Sequence, residues 1–186
     1  MKKRTYILPL LIILITACSD YSADDDQDSP KAAGPKKEFP VQESWDSNIT
    51  LTKEGKLVAE IKAGYIANYA KKNETHLQDS LVIDFYDSDG EHSSVLTADY
   101  GVVDNNTKNL VATGNVIVVS DSGVVLRSTE LKWDNKREKI VSDVPVTITT
   151  ETDTLVGDNF VSSPDLSNYE IRNARGRSTR GVSLDR

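Results

Sequence analysis

Few side chains in this sequence have the types and spacings that chemistry requires. The two histidines, His76 and His92, lie in or beside polar segments and show no paired-ligand spacing. Residues 87–91, Asp-Ser-Asp-Gly-Glu, resemble the first half of a calcium loop but lack the later ligands, and a hairpin turn explains them better. There is no G-x-S-x-G motif and no glycine-rich phosphate loop. The sequence therefore predicts a protein that is not an enzyme and that uses no metal and no cofactor.

The one cysteine, Cys18, stands in a context that predicts its modification. Residues 2–4 are basic, residues 6–15 are mainly apolar, and residues 15–18 are Ile-Thr-Ala-Cys. The apolar run is shorter than the roughly 20 residues that cross a bilayer as a helix. The pattern is typical of a bacterial lipoprotein signal peptide, residues 1–17, followed by Cys18 as the lipidated N-terminus. A lone cysteine also excludes an intramolecular disulfide.

Charge and composition separate the two ends from the middle of the chain. Loss of residues 1–17 removes three basic residues and changes the formal net charge from -7 to -10. An acidic chain without a basic stripe argues against a nucleic-acid partner. Residues 18–43 are polar and rich in Asp, Ser and Pro, which predicts a flexible acidic tether. The basic residues 177–186 are predicted to be a disordered tail.

The remaining segment, residues 44–176, predicts β-strands throughout. Apolar residues recur at every second position in residues 81–86 and 146–149, which is the period of a half-buried strand. No window shows a convincing helical period. The runs are separated by turn-forming pairs at residues 54–55, 89–90 and 122–123.

An internal repeat indicates how these strands are grouped. Residues 96–116 align with residues 126–146, and a weaker third copy covers residues 159–176. A repeat of this length marks supersecondary units that bury their apolar faces against each other. The unit here is a pair of strands, so the predicted fold class is all-β: an antiparallel sandwich, jelly roll or solenoid of about ten strands.

Two of the predicted strands are apolar on both faces. In residues 115–120 and 123–126 the apolar side chains fall at consecutive positions. Either a second layer covers the outer face, or the inner face is wider than a packed core requires. An interior that does not close would be a lipid groove, and one that closes would be an ordinary sandwich core.

A series of short motifs in one order gives the chain a resemblance to a known family. The motifs are residues 48–63, 81–86, 96–99, 114–116, 126–134, 144–146 and 157–160, followed by Asp165-Leu166, Ile171 and Gly176. With these motifs in this order the chain resembles LptC, the periplasmic component of the lipopolysaccharide export machine, which belongs to the OstA-like β-jelly rolls. The resemblance implies a single open, twisted antiparallel β-jelly roll over residues 44–176.

The resemblance also implies a function. Such a protein accepts lipopolysaccharide, through its lipid A, from an inner-membrane ABC transporter. It holds the acyl chains in an apolar groove and passes them to the next periplasmic jelly roll, an LptA-like carrier. Alternation supplies the candidates for the groove lining, each equally consistent with core packing: Ile61, Leu81, Ile83, Phe85, Val116, Val118, Leu131, Trp133, Val146, Ile148 and Phe160.

Exposed strand edges recruit other chains by β-augmentation, and the family joins its jelly rolls edge to edge. We expect the strand around Ile49 and Leu51 to face the transporter. We expect the last strand, with Tyr169, Ile171 and Gly176, to face the carrier.

The N-terminus departs from the family pattern, because family members are commonly anchored by a transmembrane helix. The lipoprotein signal predicts a periplasmic protein held to a membrane by lipid. The resemblance favours the inner membrane, whereas Ser19 after Cys18 would favour the outer membrane under the sorting rule of some bacteria.

A second class of function is a surface or periplasmic lipoprotein that binds glycan, or a structural adhesin module. A glycan-binding sheet would show exposed aromatic side chains on one face. Trp45 and Trp133 are the candidates for such a platform.

Overall fold

Each alternating segment forms a β-strand in the computed structural model, which describes residues 38–178. Within these residues there are ten strands and no helix, and all pairings are antiparallel, so the predicted all-β class is confirmed. The strands are β1 (Gln42–Lys53), β2 (Lys56–Tyr69), β3 (Glu74–Tyr86), β4 (His92–Asp104), β5 (Leu110–Ser120), β6 (Val125–Asp134), β7 (Lys139–Ser142), β8 (Val146–Thr149), β9 (Asp153–Ser162) and β10 (Tyr169–Ser178).

The strands form one sheet in which neighbours along the chain are neighbours in space. The order is β1-β2-β3-β4-β5-β6-β7-β9-β10, and β8 pairs with both β6 and β9. β7 and β8 thus share one position between β6 and β9. Pro145, which has no N–H to donate, lies in the break between them. The aligned repeats fall on the β4–β5 hairpin and on β6 with β7, as the repeat predicted for paired strands.

The long strands β2 to β5 are bent near their middles. The register of strand pairing shifts between Lys62 and Tyr65 in β2, and it shifts at the matching positions of β3, β4 and β5. Directly beyond the shifts, Tyr65 pairs with Gln78, Gln78 with Tyr100, and Tyr100 with Thr113. The shifts therefore lie side by side and form one crease across the sheet, as bulges do when they turn a sheet corner.

Gly114 shows why the crease needs particular residues. Its φ is 78°, a conformation that glycine adopts without steric cost. A Cβ at this position would lie 2.5 Å from Asp99 Oδ2. The same carboxylate oxygen accepts a hydrogen bond of 2.7 Å from Asn115 Nδ2. The absent side chain thus lets β4 and β5 approach closely where both strands turn.

The crease divides the sheet into two arms that face each other. Phe85 lies in arm A and Trp133 in arm B, and their ring centroids are 5.0 Å apart although two strands separate β3 from β6 in the sheet. The apolar interior lies between the arms, which gives the β-jelly roll. The inward row of arm A is Ile61, Ile83, Leu96, Val118, Leu126 and Ile148, and that of arm B is Ile66, Leu77, Gly101, Ala112 and Leu131.

Two element boundaries differ from the expected ones. The tether was expected to end at residue 43, but the Val41 N–H donates to Asn68 O at 2.8 Å and β1 begins at Gln42. The tail was expected from residue 177, but β10 continues to Ser178. In both cases backbone pairing with the neighbouring strand extends the sheet into a polar sequence. The signal peptide, Cys18, the rest of the tether and residues 179–186 lie outside the described residues.

Candidate functional site

All eleven groove candidates point into the interior between the two arms. Their exposed fractions range from 0% for Val118, Ile148 and Phe160 to 3% for Trp133. They belong to one apolar cluster built from both arms. Alternation predicted which residues of a strand share a face but not which face points inward, and all eleven are buried. Burial alone does not distinguish a packed core from a lipid-binding surface.

The interior also contains large residues that the candidate list omitted. Of those on strands, only Leu77 lies between two polar residues, and each of the others has an apolar neighbour on at least one side, so a period of two marks them less clearly. Leu166 is different, because it reaches the core from the loop between β9 and β10. The omitted large residues are Ile66, Leu77, Leu96, Val103, Leu110, Leu126, Ile140 and Leu166.

No second layer covers the outer face of the doubly apolar segments within the described residues. Val118 is fully buried, whereas the adjacent Val119 is 44% exposed. The inner face of these segments is also no wider than a packed core requires. The space left between the arms is a cavity of about 10 Å³ lined by Leu51, Ala59, Ile61, Ile83, Phe85, Leu110 and Trp133. An acyl chain requires the arms to separate.

A larger depression, which we call the mouth, lies where the free ends of the arms meet. Its volume is about 530 Å³. Arm A contributes the β1–β2 and β3–β4 turns, and arm B contributes the β6–β7 turn and the β9–β10 loop. Trp133 lines both the mouth and the interior cavity, so its indole separates the two spaces.

One ion pair bridges the mouth from arm to arm. Lys53 Nζ at the end of β1 lies 2.5 Å from Glu138 Oε1 in the β6–β7 turn. This hydrogen bond raises the pKa of Lys53 above its usual 10.5 despite partial desolvation. Lys56 Nζ donates to Ser88 O at 2.7 Å, within arm A. Polar contacts therefore stabilise the rim of the mouth, whereas apolar packing stabilises the interior.

Trp133 has one polar group that this packing leaves unpaired. Its Nε1 is buried and has no hydrogen-bond partner among the described residues. A buried donor without an acceptor is destabilising, and it marks a position where a bound group with an oxygen atom would be favourable.

The two edge strands hold the residues expected to contact partner proteins. Ile49 and Leu51 lie on β1, half-buried against the core, and β1 pairs only with β2 within the described residues. Tyr169 and Ile171 lie on β10 in the same half-buried state, and the Tyr169 ring stacks on Phe160 with centroids 5.9 Å apart. Gly176 pairs with Leu155 near the end of β10. Both edges thus offer backbone groups to another strand.

Both histidines lie close to turns, near the beginnings of strands. His76 is the third residue of β3, where its ring contacts Glu74 Oε2 at 2.9 Å and the Tyr100 hydroxyl at 2.5 Å. His92 begins β4 and its Nδ1 lies 2.9 Å from Asp121 Oδ1. Both histidines pair with residues of a neighbouring strand.

Residues 87–91 form a hairpin turn in the structure. Asp87 Oδ1 accepts hydrogen bonds from the backbone N–H groups of Asp89 and Glu91, at 2.8 and 3.0 Å. Across residues 38–178, no group of three or more His, Cys, Asp or Glu side chains is placed to hold a metal ion. The carboxylate of Asp87 stabilises the turn.

The two tryptophans do not form a glycan platform together. Trp133 is buried in the interior, whereas Trp45 on β1 is 65% exposed. Trp45 lies beside Tyr65, with ring centroids 5.6 Å apart. The described residues contain no helix long and apolar enough to cross a bilayer.

Comparison with known proteins agrees with this architecture. The family model for lipopolysaccharide-assembly, LptC-related proteins matches residues 8–160, which include β1 to β8 and most of β9. A comparison with curated protein sequences gave no match. The matched region covers most of the chain and the large majority of the inward-facing residues. The chain therefore belongs to the LptC-related family of lipopolysaccharide-assembly proteins, whose role lies in lipopolysaccharide transport at the cell envelope.

Proposed function

We propose that this protein is a non-enzymatic carrier that holds the acyl chains of lipopolysaccharide between its two arms. The observation that supports this most is the interior itself: two inward apolar rows face each other, and their free ends meet at a mouth bridged by a surface ion pair. Transfer of a dozen methylene groups from water to such an interior is worth about 10 kcal/mol. A carrier of this kind needs no catalytic step.

The mouth is the entry for the acyl chains in this proposal. Separation of Lys53 from Glu138 and displacement of the Trp133 ring from Phe85 would join the mouth to the interior. The Trp133 indole N–H would then find an acceptor among the ester or amide oxygens of lipid A. Lys53, Lys56 and Lys139 line the mouth and would lie near the phosphates of the head group.

A matched pair of photo-crosslinking residues tests the groove. Val118 and Val119 are adjacent valines on β5, one fully buried and the other 44% exposed. We expect a photo-reactive residue at 118 to capture lipopolysaccharide and the same residue at 119 to capture none. Equal capture at both positions, or none at 118 in a variant that keeps its thermal transition, would contradict the groove.

The two edges give the carrier its direction in this proposal. We assign β1, with Ile49 and Leu51, to the inner-membrane transporter and β10, with Tyr169 and Ile171, to a soluble LptA-like jelly roll. Both edges can extend a neighbouring sheet through backbone hydrogen bonds. A photo-crosslinker at residue 171 should capture the soluble jelly roll; capture of the transporter alone would reverse the assignment.

We also propose that Cys18 carries lipid and holds the domain to a membrane, with the inner membrane favoured by the family. The residues between Cys18 and the start of the described region would then act as the tether. Metabolic labelling with a radioactive fatty acid should mark the chain, and Cys18→Ala should remove the label. A labelled Cys18→Ala variant would place the modification elsewhere.

A further inference from the structure

Exposed apolar side chains are concentrated at the beginning of β1. Five large apolar residues are exposed within the described chain, and three of them fall between residues 39 and 45. Phe39 is 71% exposed, Val41 69% and Trp45 65%. The other two, Val119 and Val156, lie on arm A. Such a concentration in one short segment distinguishes this surface from scattered surface valines.

These three residues share one face with aromatic residues of β2. Phe39 and Val41 directly precede β1 and Trp45 lies within it, all at odd-numbered positions, whereas Pro40 and Ser44 are half-buried. Glu43 occupies the same face between Val41 and Trp45, and its carboxylate accepts a hydrogen bond from the Tyr65 hydroxyl. Trp45 pairs with Tyr65, and Gln42 pairs with Asn68, which places Val41 beside Tyr69. We call Phe39, Val41, Trp45, Tyr65 and Tyr69 the β1 patch.

Lysines flank the β1 patch, although the chain as a whole is acidic. Lys71 and Lys72 lie in the β2–β3 turn, both exposed. The Lys72 ammonium lies 5.5 Å from the centre of the Tyr69 ring and 3.9 Å from Glu38 Oε2. Two further lysines, at residues 36 and 37, directly precede Glu38 in the sequence. Within the described residues the apolar surface is thus bordered by two lysines, Lys71 and Lys72, the second of which is paired with Glu38.

We propose that the β1 patch rests on the surface of a membrane that contains anionic lipids. Tryptophan, tyrosine and phenylalanine with flanking lysines are the side chains favoured at the head-group level of a bilayer. The patch lies on a sheet face, so it leaves the backbone edge of β1 available to a partner strand. Lipid head groups would cover the rings, and acidic phosphates would pair with the lysines.

The position of the patch along the chain identifies a membrane as its occupant. The patch begins at Phe39, next to the first described residue, and Cys18 precedes Glu38 by 20 positions in the sequence. A chain of about 20 residues that acts as the tether of the proposed function would have a mean reach of about 25 Å. Attachment of the N-terminus to a bilayer, as in the proposed function on which this step rests, keeps the patch close to lipid, so weak contacts are sufficient to dock it.

Intrinsic fluorescence of the full chain in vesicles tests the docking. The sequence has two tryptophans, and Trp133→Phe leaves Trp45 as the single reporter. The protein is reconstituted into vesicles of phosphatidylethanolamine and phosphatidylglycerol, with or without lipids brominated near the head group. We expect a blue shift of Trp45 emission, quenching by the brominated lipids, and loss of more than half of its quenching by aqueous iodide.

Matched variants separate the patch from general hydrophobicity. Phe39→Ser with Val41→Ser should restore iodide access to Trp45 on vesicles. Val119→Ser with Val156→Ser, which removes the two exposed valines of arm A, should leave Trp45 protected. Lys71→Gln with Lys72→Gln, or vesicles without the anionic lipid, should weaken the protection.

Three outcomes would overturn the inference. One is unchanged iodide access to Trp45 on vesicles; another is equal loss of protection in the arm A control; the third is protection that arises only when a partner protein is added. The lipopolysaccharide adduct at residue 118 is measured on the same patch and control variants, made in the chain that retains Trp133. Its retention when Trp45 stays exposed would overturn docking alone, whereas its absence from every variant, the parent included, would count against the carrier function.

Discussion

The two edge strands of this sheet are built differently. β1 pairs with β2 through eleven of its twelve residues, all but Asp46, whose φ is 47°, and its register shifts once, between Leu51 and Thr52. β10 shifts register twice within ten residues, around Arg172, and Asn173 there has a φ of 52°. A continuous edge accepts a new strand along most of its length, whereas a bulged edge accepts only a strand that follows the same bend.

Charge separates the two edges as well. β1 carries Glu43, Asp46 and Lys53, which sum to -1, and β10 carries Glu170 with three exposed arginines, which sum to +2. Opposite signs on the two edges favour different partners and steer each to its own end. A chain of jelly rolls through this molecule would therefore have a direction, set by the backbone shape and the charge of its two edge strands.

The largest expected effect is a loss of stability caused by a substitution that separates β10 from β9. In Gly157→Val, the first added carbon would lie 2.6 Å from Arg172 O and 2.6 Å from Ile171 Cγ1. We expect a loss of roughly 1–3 kcal/mol in the free energy of unfolding, measured in urea, because β10 must move away from β9. Amide exchange should accelerate in β10 and stay unchanged in β1.

The matched control for that variant is Ala174→Val on the exposed part of β10. It adds two carbons at an exposed position and should change stability by less than about 0.5 kcal/mol. Equal destabilisation by both variants, or faster exchange in β1, would show that the two edges are not independent.

The close contact at Gly157 is one of several features that the sequence alone did not predict. Alternation predicted strands such as residues 81–86 and which of their side chains share a face, because burial of one face imposes a period of two. In residues 115–120 the apolar side chains are consecutive, so the sequence did not indicate that Val118 is buried and Val119 exposed. The crease was not predicted, because the positive φ angles of Asp79 and Asn115 arise from the register of neighbouring strands, which a local pattern does not contain. Trp45 carries no periodic signal that distinguishes surface from core.

The next largest expected effect is a slower association with the soluble jelly roll when the positive charge of β10 is removed. Arg172, Arg175 and Arg177 are exposed, and their replacement by glutamine should slow capture of the soluble jelly roll about tenfold at low salt, since steering charges act mainly on association rate. The difference should shrink as salt screens the charges. Stopped-flow fluorescence measures the association rates of the parent protein and of the glutamine variant. Capture through β1 should not change.

The control for the arginine variant removes the same charge elsewhere. Lys108, Arg127 and Lys136 are exposed and lie away from β10. Their replacement by glutamine should have little effect on capture by β10. If this control slows capture as much as the arginine variant does, net charge rather than the β10 edge is responsible.

The Lys53–Glu138 bridge ties the β1 edge to arm B, and β10 has no ion pair across the mouth within the described residues. Glu138→Ala should therefore raise the rate of lipid loading about twofold, the scale of an exposed pair, followed by adduct formation at residue 118. Lys132→Ala is the control, because the 2.7 Å pair between Lys132 and Asp143 does not span the mouth.

The pH dependence of the bridge follows from the raised pKa of Lys53. The hydrogen bond to Glu138 stabilises the charged ammonium, so its contribution is complete below the usual pKa of 10.5 and is lost as pH rises through the higher folded value. Loading in the parent protein should approach that of Glu138→Ala only above this range. An equal acceleration near neutral pH would contradict the bridge.

The smallest effect concerns the connections that lead to the two edges. The β9–β10 loop contains Asp165, whose burial opposes ionisation but whose hydrogen bonds from Ser163 and Ser167 lower its pKa below the usual 3.8. Its stabilising contribution is present above pH 3.8 and is lost as pH falls through the lower folded value. The β1–β2 turn instead depends on backbone conformation, with φ angles of 51° at Glu54 and 81° at Gly55.

Acidification should therefore loosen the connection to β10 before the connection to β1. Amide exchange, corrected for the intrinsic effect of pH, should accelerate in residues 163–168 below pH 3.8 and stay constant in residues 54–55. Asp165→Asn should show the faster loop exchange already at neutral pH, because the amide replaces the carboxylate that accepts these bonds. If both connections loosen together, a global acid transition is responsible and the difference between the edges does not extend to their turns.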